Sequence, residues 1–148
     1  MAFHFRLEAV LTLRKNLEEQ AQLKLAREQL MLQRHQLRFA ELQEKRRELC
    51  EAMEERKKKT MSGSLFLFYM EAMRIQELQL RILQTTIAAQ QQVVEKVRSE
   101  LAEAMKKRKT IEVLREKELQ KYLQETRRRE QNESDEQALL RHGRGILI

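Results

Sequence analysis

Apolar side chains in the second half of this chain recur at a fixed interval. Phe66, Met73, Leu80, Ile87, Val94 and Leu101 stand seven residues apart, and Tyr69, Leu83, Val97, Ala104 and Ile111 fall on the companion positions. A seven-residue repeat with two apolar positions is the pattern of a helix packed in a left-handed coiled coil. It weakens where Arg108, Arg115 and Glu118 take seam positions, and Tyr122 restores it. Long basic side chains lay their stems along a seam, so the helix is expected to continue through them in a looser coil.

The first half is less regular. Leu23, Leu30 and Leu37 form one run of sevens, Leu25, Leu32 and Phe39 a second, and Leu42 and Leu49 a third. Three overlapping stripes predict a helix whose apolar face is broad or shifts, and they leave its seam open. No proline occurs in the 148 residues, and Gly63 is the only glycine before position 143. Two long stretches therefore lack the strongest helix breakers, with one break between them. Arg56-Lys57-Lys58-Lys59 suits a helix C-terminus, Gly63 suits a left-handed turn, and Ser62 or Ser64 suits an N-cap.

The fold expected is all-α, a long antiparallel two-helix coiled-coil hairpin forming a single domain over residues 1–148. Helix 1 is placed at about 5–58, the turn at about 59–64, helix 2 at about 65–138 and a flexible tail at 139–148. Reversal at this turn pairs residues whose numbers sum to about 125. Helices of fifty or more residues would extend about 80 Å at 1.5 Å per residue. Phe5 to Leu17 then lies beside roughly Lys107 to Gln120, giving one tip built from both ends of the chain and another at the turn.

Composition narrows the function classes. Charged residues make up 36% and aromatics 5%, too little apolar material for a thick globular core, while the abundant Leu, Glu, Gln, Lys, Arg and Ala favour helix over disorder. The single Cys50 cannot form an intrachain disulfide and reads as a small apolar helix residue. His4, His35 and His142 have no ligand spacing, no glycine-rich phosphate loop is present, and acids alternate with bases as on solvated helix faces. No catalytic, cofactor or metal site is expected, and the chain is read as a non-enzyme. The longest apolar run, Leu65 to Met70, is too short to span a bilayer, so the expectation is a cytoplasmic protein with peripheral membrane contact.

Three stretches remain as binding surfaces. Leu65-Phe66-Leu67-Phe68-Tyr69-Met70 encircles a helix with apolar groups that one partner cannot cover, and it reads as a plug at the turn or as a docking site. Residues 106–129 carry ten basic and four acidic side chains, consistent with a solvated face or with a grip on an acidic or phosphorylated partner. Phe3, Phe5, Leu7, Val10, Leu11 and Leu13 lie close to Arg6 and Arg14 and cover more than one face at the predicted tip.

With these residues in view, the chain resembles the FliJ family of the bacterial flagellar type III export apparatus. The likeness rests on Phe5-Arg6-Leu7-x-x-Val10-Leu11-x-Leu13-Arg14, on Ser62-Gly63 followed by Tyr69, and on Leu114-Arg115-Glu116-Lys117 with Tyr122 and Asp135-Glu136. The resemblance implies a central stalk, one end of which enters the hexameric flagellar export ATPase while another face meets the cytoplasmic domain of the membrane export gate protein. It also implies a link to export chaperones, a role in flagellum assembly and motility, and a place in the bacterial cytoplasm at the cytoplasmic face of the inner membrane.

Carried onto this sequence, the ATPase-facing tip comprises Phe5, Leu7, Val10, Leu11, Arg14, Arg115, Lys117, Tyr122, Arg127, Arg128 and Arg129. The gate-facing patch comprises Phe66, Phe68, Tyr69, Met73, Gln76 and Leu80. Ala72 departs from the family, which often carries an aromatic residue three positions after the tyrosine. Competing readings are the equivalent stalk of a virulence-type secretion system, a basic nucleic-acid-binding coiled coil, and a structural spacer. Nucleic acid is not expected as a partner, because the basic stretches contain acids and do not directly precede a regular zipper.

Overall fold

A computed structural model describes residues 2–146. It is all-α, with helix α1 over Glu8–Lys57 and helix α2 over Gly63–Ile146 packed against each other. Contacts group the chain into two units, residues 1–19 with 103–148, and residues 20–102. Each helix contributes to both.

Helix α1 begins where the Glu8 amide donates to the Phe5 carbonyl at 3.2 Å. Glu8 itself puts a negative charge in the first turn, where exposed amides favour it. At the other end the Lys59 amide donates to the Arg56 carbonyl at 3.1 Å, a tightened last turn that satisfies one of the free carbonyls. Arg56 and Lys57 supply the expected positive charge there. Ser62 caps α2: its hydroxyl accepts from the Leu65 amide at 3.2 Å, and its carbonyl accepts from the Phe66 amide at 3.1 Å.

Gly63 plays a different part from the one expected. No glycine among the described residues has a positive φ, and Gly63 is the first residue of α2. A Cβ placed on it would meet nothing within 4 Å. The reversal is made by the non-helical residues 58–62, and no left-handed glycine is used. Helix α2 also runs past the expected end at 138 as far as Ile146. The polar residues 132–135 favour helix caps without forbidding helix, and neither Gly143 nor Gly145 ends it. Leu147 and Ile148, assigned to the same tail, lie outside the described residues.

In the unit of residues 20–102 the core consists of Leu42, Met53, Leu80, Val94 and Val97. Inward-facing positions of α1 follow two rows of sevens, Leu25, Leu32, Phe39, Arg46 and Met53, and Ala21, Glu28, His35, Leu42 and Leu49. Two of the three stripes read from the sequence thus form the seam. The third faces away from it, with Leu23 59%, Leu30 47% and Leu37 59% exposed.

Polar pairs fix the alignment of the two helices. Buried Gln90 donates through Nε2 to the Glu28 carbonyl at 3.1 Å and to Glu28 Oε2 at 2.5 Å. Arg46 pairs with Glu77, and Lys24 Nζ lies 3.5 Å from Glu100 Oε2. The two ion pairs have residue numbers summing to 123 and 124, as antiparallel packing with this turn requires.

In the unit of residues 1–19 and 103–148, Phe5 and Leu11 are buried. Arg108, which weakens the seven-residue pattern, lies largely covered and pairs with Glu18, itself only 9% exposed. Its Nη1 also donates to Glu112 Oε2 at 2.7 Å. The carboxylates, Glu18 above all, hold the Arg108 guanidinium above its ordinary pKa. A cation and an anion facing each other across the seam leave each other unpaired in other registers, which makes slippage costly.

Candidate interaction surfaces

The first candidate surface lies in the unit holding both ends of the chain, and its apolar members are divided between core and surface. Phe5 and Leu11, 3% exposed each, pack between the helices and are unavailable to a partner. Leu7, Val10 and Arg14 are half-buried. Arg115 is already engaged: its Nε donates to Glu8 Oε2 at 3.0 Å, and its guanidinium carbon stands 5.7 Å from the centre of the Phe3 ring. Phe3 in turn meets Tyr122, ring centres 5.5 Å apart and tilted by 53°.

These contacts make Phe3, Glu8, Arg115 and Tyr122 one cluster that anchors the start of the chain on α2. Phe3 belongs to the N-terminal apolar stretch read as a candidate surface, and Glu8 is the member that the sequence reading did not single out. The signal for Phe3 was its position, since its number and that of Tyr122 sum to the 125 expected of the hairpin.

The remaining predicted residues behave differently. Lys117, Arg127, Arg128 and Arg129 are exposed, and none of them makes an ion pair among the described residues. Residues 127–142 of α2 are exposed throughout, Leu139 at 71% and Leu140 at 64%. Residues 127–142 carry four arginines and four acids, and Arg127-Arg128-Arg129 is the local cationic cluster of this bare helix. Further back along the two helices, a shallow groove of about 650 Å³ is lined by Glu8, Leu11 and Lys15 of α1 and by Lys109, Glu112 and Glu116 of α2. Its mixture of acids and bases has no convergent set of donors for a small molecule.

The second surface lies in the other unit, around the start of α2. Of the six residues assigned to it, Leu80 is 6% exposed and belongs to the core. Tyr69, Met73 and Gln76 are half-buried on the seam side. The physical reason is that 69, 73, 76 and 80 are the heptad positions that face α1, so one residue set cannot serve the seam and an outward patch together. Phe66 and Phe68 are exposed, at 41% and 65%, and Phe68 meets Tyr69 edge-on with ring centres 6.0 Å apart.

The side chains that extend this patch are Leu67, Met70, Ile75, Leu78 and Ile82, all exposed. Sequence reasoning missed the last three because the dominant period drew attention to the seam. Their own spacing, Phe68, Ile75 and Ile82 at intervals of seven with Leu78 between, was the available signal. A small groove of about 260 Å³ lined by Leu42, Ile82 and Leu83 adjoins it.

Among the described residues no group of three or more histidines, cysteines, aspartates or glutamates converges as a metal site would require. No helix among them is long and apolar enough to cross a membrane. Cys50 is half-buried and carries a free thiol. What the two candidate surfaces present is exposed apolar and cationic side chains.

Neither the curated proteins nor the solved structures contain a significant match to this chain. The family model described as flagellar FliJ protein matches residues 3–146, nearly the whole length, and the chain belongs to the FliJ family of flagellar type III export proteins.

Proposed function

We propose that this protein is a non-enzymatic central-stalk component of flagellar type III export, binding the hexameric export ATPase and linking it to the cytoplasmic domain of the membrane export gate protein. The observation that carries the reading is the run Arg127-Arg128-Arg129, exposed and unpaired on α2. Cations left without an internal partner favour an acidic external one, and attraction of this kind weakens as salt rises. Lys117 adds to the same surface. Phe5, Leu11 and Arg115 support it from within by holding the chain start against α2.

The gate contact is assigned to Phe66 and Phe68 with the neighbouring exposed apolar residues of α2, since Tyr69, Met73, Gln76 and Leu80 are turned toward α1. Export chaperones are a further class of partner. The protein would then work in the bacterial cytoplasm at the inner-membrane face, held there through its protein partners. The stalk of a virulence-type secretion system would use the same physics, and the family match favours the flagellar role.

Reversing Arg127, Arg128 and Arg129 together to Glu is expected to reduce stimulation of the export ATPase about tenfold at limiting concentration while helicity measured by circular dichroism is retained. Three exposed charge contacts of about 0.5 kcal/mol each come to about 1.5 kcal/mol, which is roughly tenfold in affinity. Stimulation equal to wild type would remove the cationic surface from the reading.

A further inference from the structure

Charged and apolar side chains are sorted by position where the hairpin turns, in the unit of residues 20–102. Residues 56–70 hold four basic side chains, Arg56, Lys57, Lys58 and Lys59, and no acid. All four are exposed. Lys57 Nζ lies 3.4 Å from Glu54 Oε1 and Lys58 Nζ 3.3 Å from Glu55 Oε1, loose pairs within one helix that contribute little. Arg56 and Lys59 make no ion pair among the described residues. Glu54 and Glu55 on α1, and Glu71 on α2, stand further from the turn than the bases do. Positive charge is thus concentrated at the turn end.

Directly after the turn come the apolar groups, with Phe66, Leu67, Phe68 and Met70 exposed. At about 100° per residue, Phe66, Leu67 and Phe68 spread over roughly 200° of the circumference of α2. The stripe that one partner helix covers is about 100° wide. Helix α1 takes the side of Tyr69, and one further helix or groove would leave part of this ring in water. A medium that surrounds the end covers all of it. At 1.5 Å per residue, Phe68 stands about 7.5 Å along α2 from Gly63, within the roughly 5–10 Å to which apolar groups enter the boundary between lipid headgroups and acyl chains.

We infer that the turn end of the hairpin seats on an anionic lipid bilayer, with Phe66, Leu67 and Phe68 in the boundary between headgroups and acyl chains and Arg56 to Lys59 against the lipid phosphates. Charge complementarity selects this occupant, since an anionic leaflet attracts a basic segment that lies beside inserted apolar groups. The contact goes beyond the gate reading, in which attachment comes through protein partners, although the two share Phe66 and Phe68. Vesicles contain no gate protein, so failure of either one leaves the other standing.

The chain contains no tryptophan, so Phe68→Trp in the full chain places a single reporter at the turn end. Ile82→Trp places one about 21 Å further along the same helix. Both positions are exposed. With vesicles of phosphatidylcholine containing roughly one third phosphatidylglycerol, the Phe68→Trp variant is expected to show blue-shifted emission and quenching by brominated lipid, and the Ile82→Trp variant neither. Vesicles of phosphatidylcholine alone should give no signal, and added salt should weaken the signal from the anionic ones.

Replacing Lys57, Lys58 and Lys59 by Gln in the Phe68→Trp variant should weaken the vesicle titration about tenfold. Replacing Arg127, Arg128 and Arg129 by Gln should leave the emission shift in place. All these positions are exposed, so circular dichroism should be unchanged. No shift at position 68 with anionic vesicles, equal shifts at 68 and 82, equal binding to phosphatidylcholine alone, or a titration indifferent to the three lysines would overturn the inference. So would an acidic protein that covers the turn end while anionic vesicles leave it in water.

Discussion

Arg108 and Glu18 show how a residue that breaks a pattern can specify a fold. Alone, an arginine on a coiled-coil seam is a defect, since its head must be desolvated or reach around the edge. Facing Glu18 and flanked by Glu112, it becomes a contact available in one register. Glu18→Gln is expected to lower the thermal midpoint by several degrees, because it leaves a largely covered guanidinium with one carboxylate fewer. Arg47→Gln is the control: its pairs with Glu44 and Glu51 lie on the exposed face within one helix, and surface pairs of this kind contribute little. Equal shifts in the two variants, read by thermal melts, would refute the distinction. Gly63 gives the complementary case. As the first residue of a helix with ordinary φ and open space around it, it tolerates a methyl group. Gly63→Ala should raise stability by about 0.5 kcal/mol through the unfolded chain, whereas a left-handed residue would make the same change destabilising.

At the scale of the element, α2 was legible as a coiled-coil helix from its heptads alone. Its extent was not. The sequence reading ends it near 138, and nothing local forces a stop there. Helix α1 presented three leucine stripes, and its sequence could not rank them, because apolar periodicity says that a face is buried without saying by what. Packing against α2 selects Leu25, Leu32 and Phe39 with Leu42 and Leu49, and leaves Leu23, Leu30 and Leu37 outside. The gate-facing residues were misallocated for the same reason. Residues 69, 73, 76 and 80 are the most regular of the region, and regularity of that kind marks the seam; Phe66 shares the row of Met73 and Leu80 but stands exposed at the start of α2, and Phe68 is off the row.

At the scale of the whole molecule, helix and stability are unevenly distributed. The described residues with less than a tenth of their surface exposed run from Phe5 to Val97, and Arg108 closes the set of largely covered charges. Beyond Thr126, α2 carries exposed residues almost throughout. Removal of residues 131–148 should therefore reduce the helical circular-dichroism signal roughly in proportion to the residues lost. The thermal midpoint should move by no more than about 2 °C, since few buried contacts disappear. A large fall in the midpoint would mean that this segment is covered in solution. The net charge of +7 is of the sign that the proposed attraction to an acidic partner requires.

The sequence by itself determined that the chain is two long helices joined once, that they pack antiparallel with partner numbers summing to about 125, and that its family is that of a flagellar export protein. These follow from local quantities: breaker residues, capping groups, a repeat of seven and ordered motifs, each readable without knowing what lies across the interface. Only the tertiary structure decided which leucines of α1 form the seam, that Arg108 is matched by Glu18, that Arg115 is spent on Glu8 and Phe3, and that Leu80 is core while Phe68 is surface. Each of these depends on the rotation of one helix about its axis relative to the other. That rotation is set by the summed packing of both faces, a quantity that neither helix carries alone.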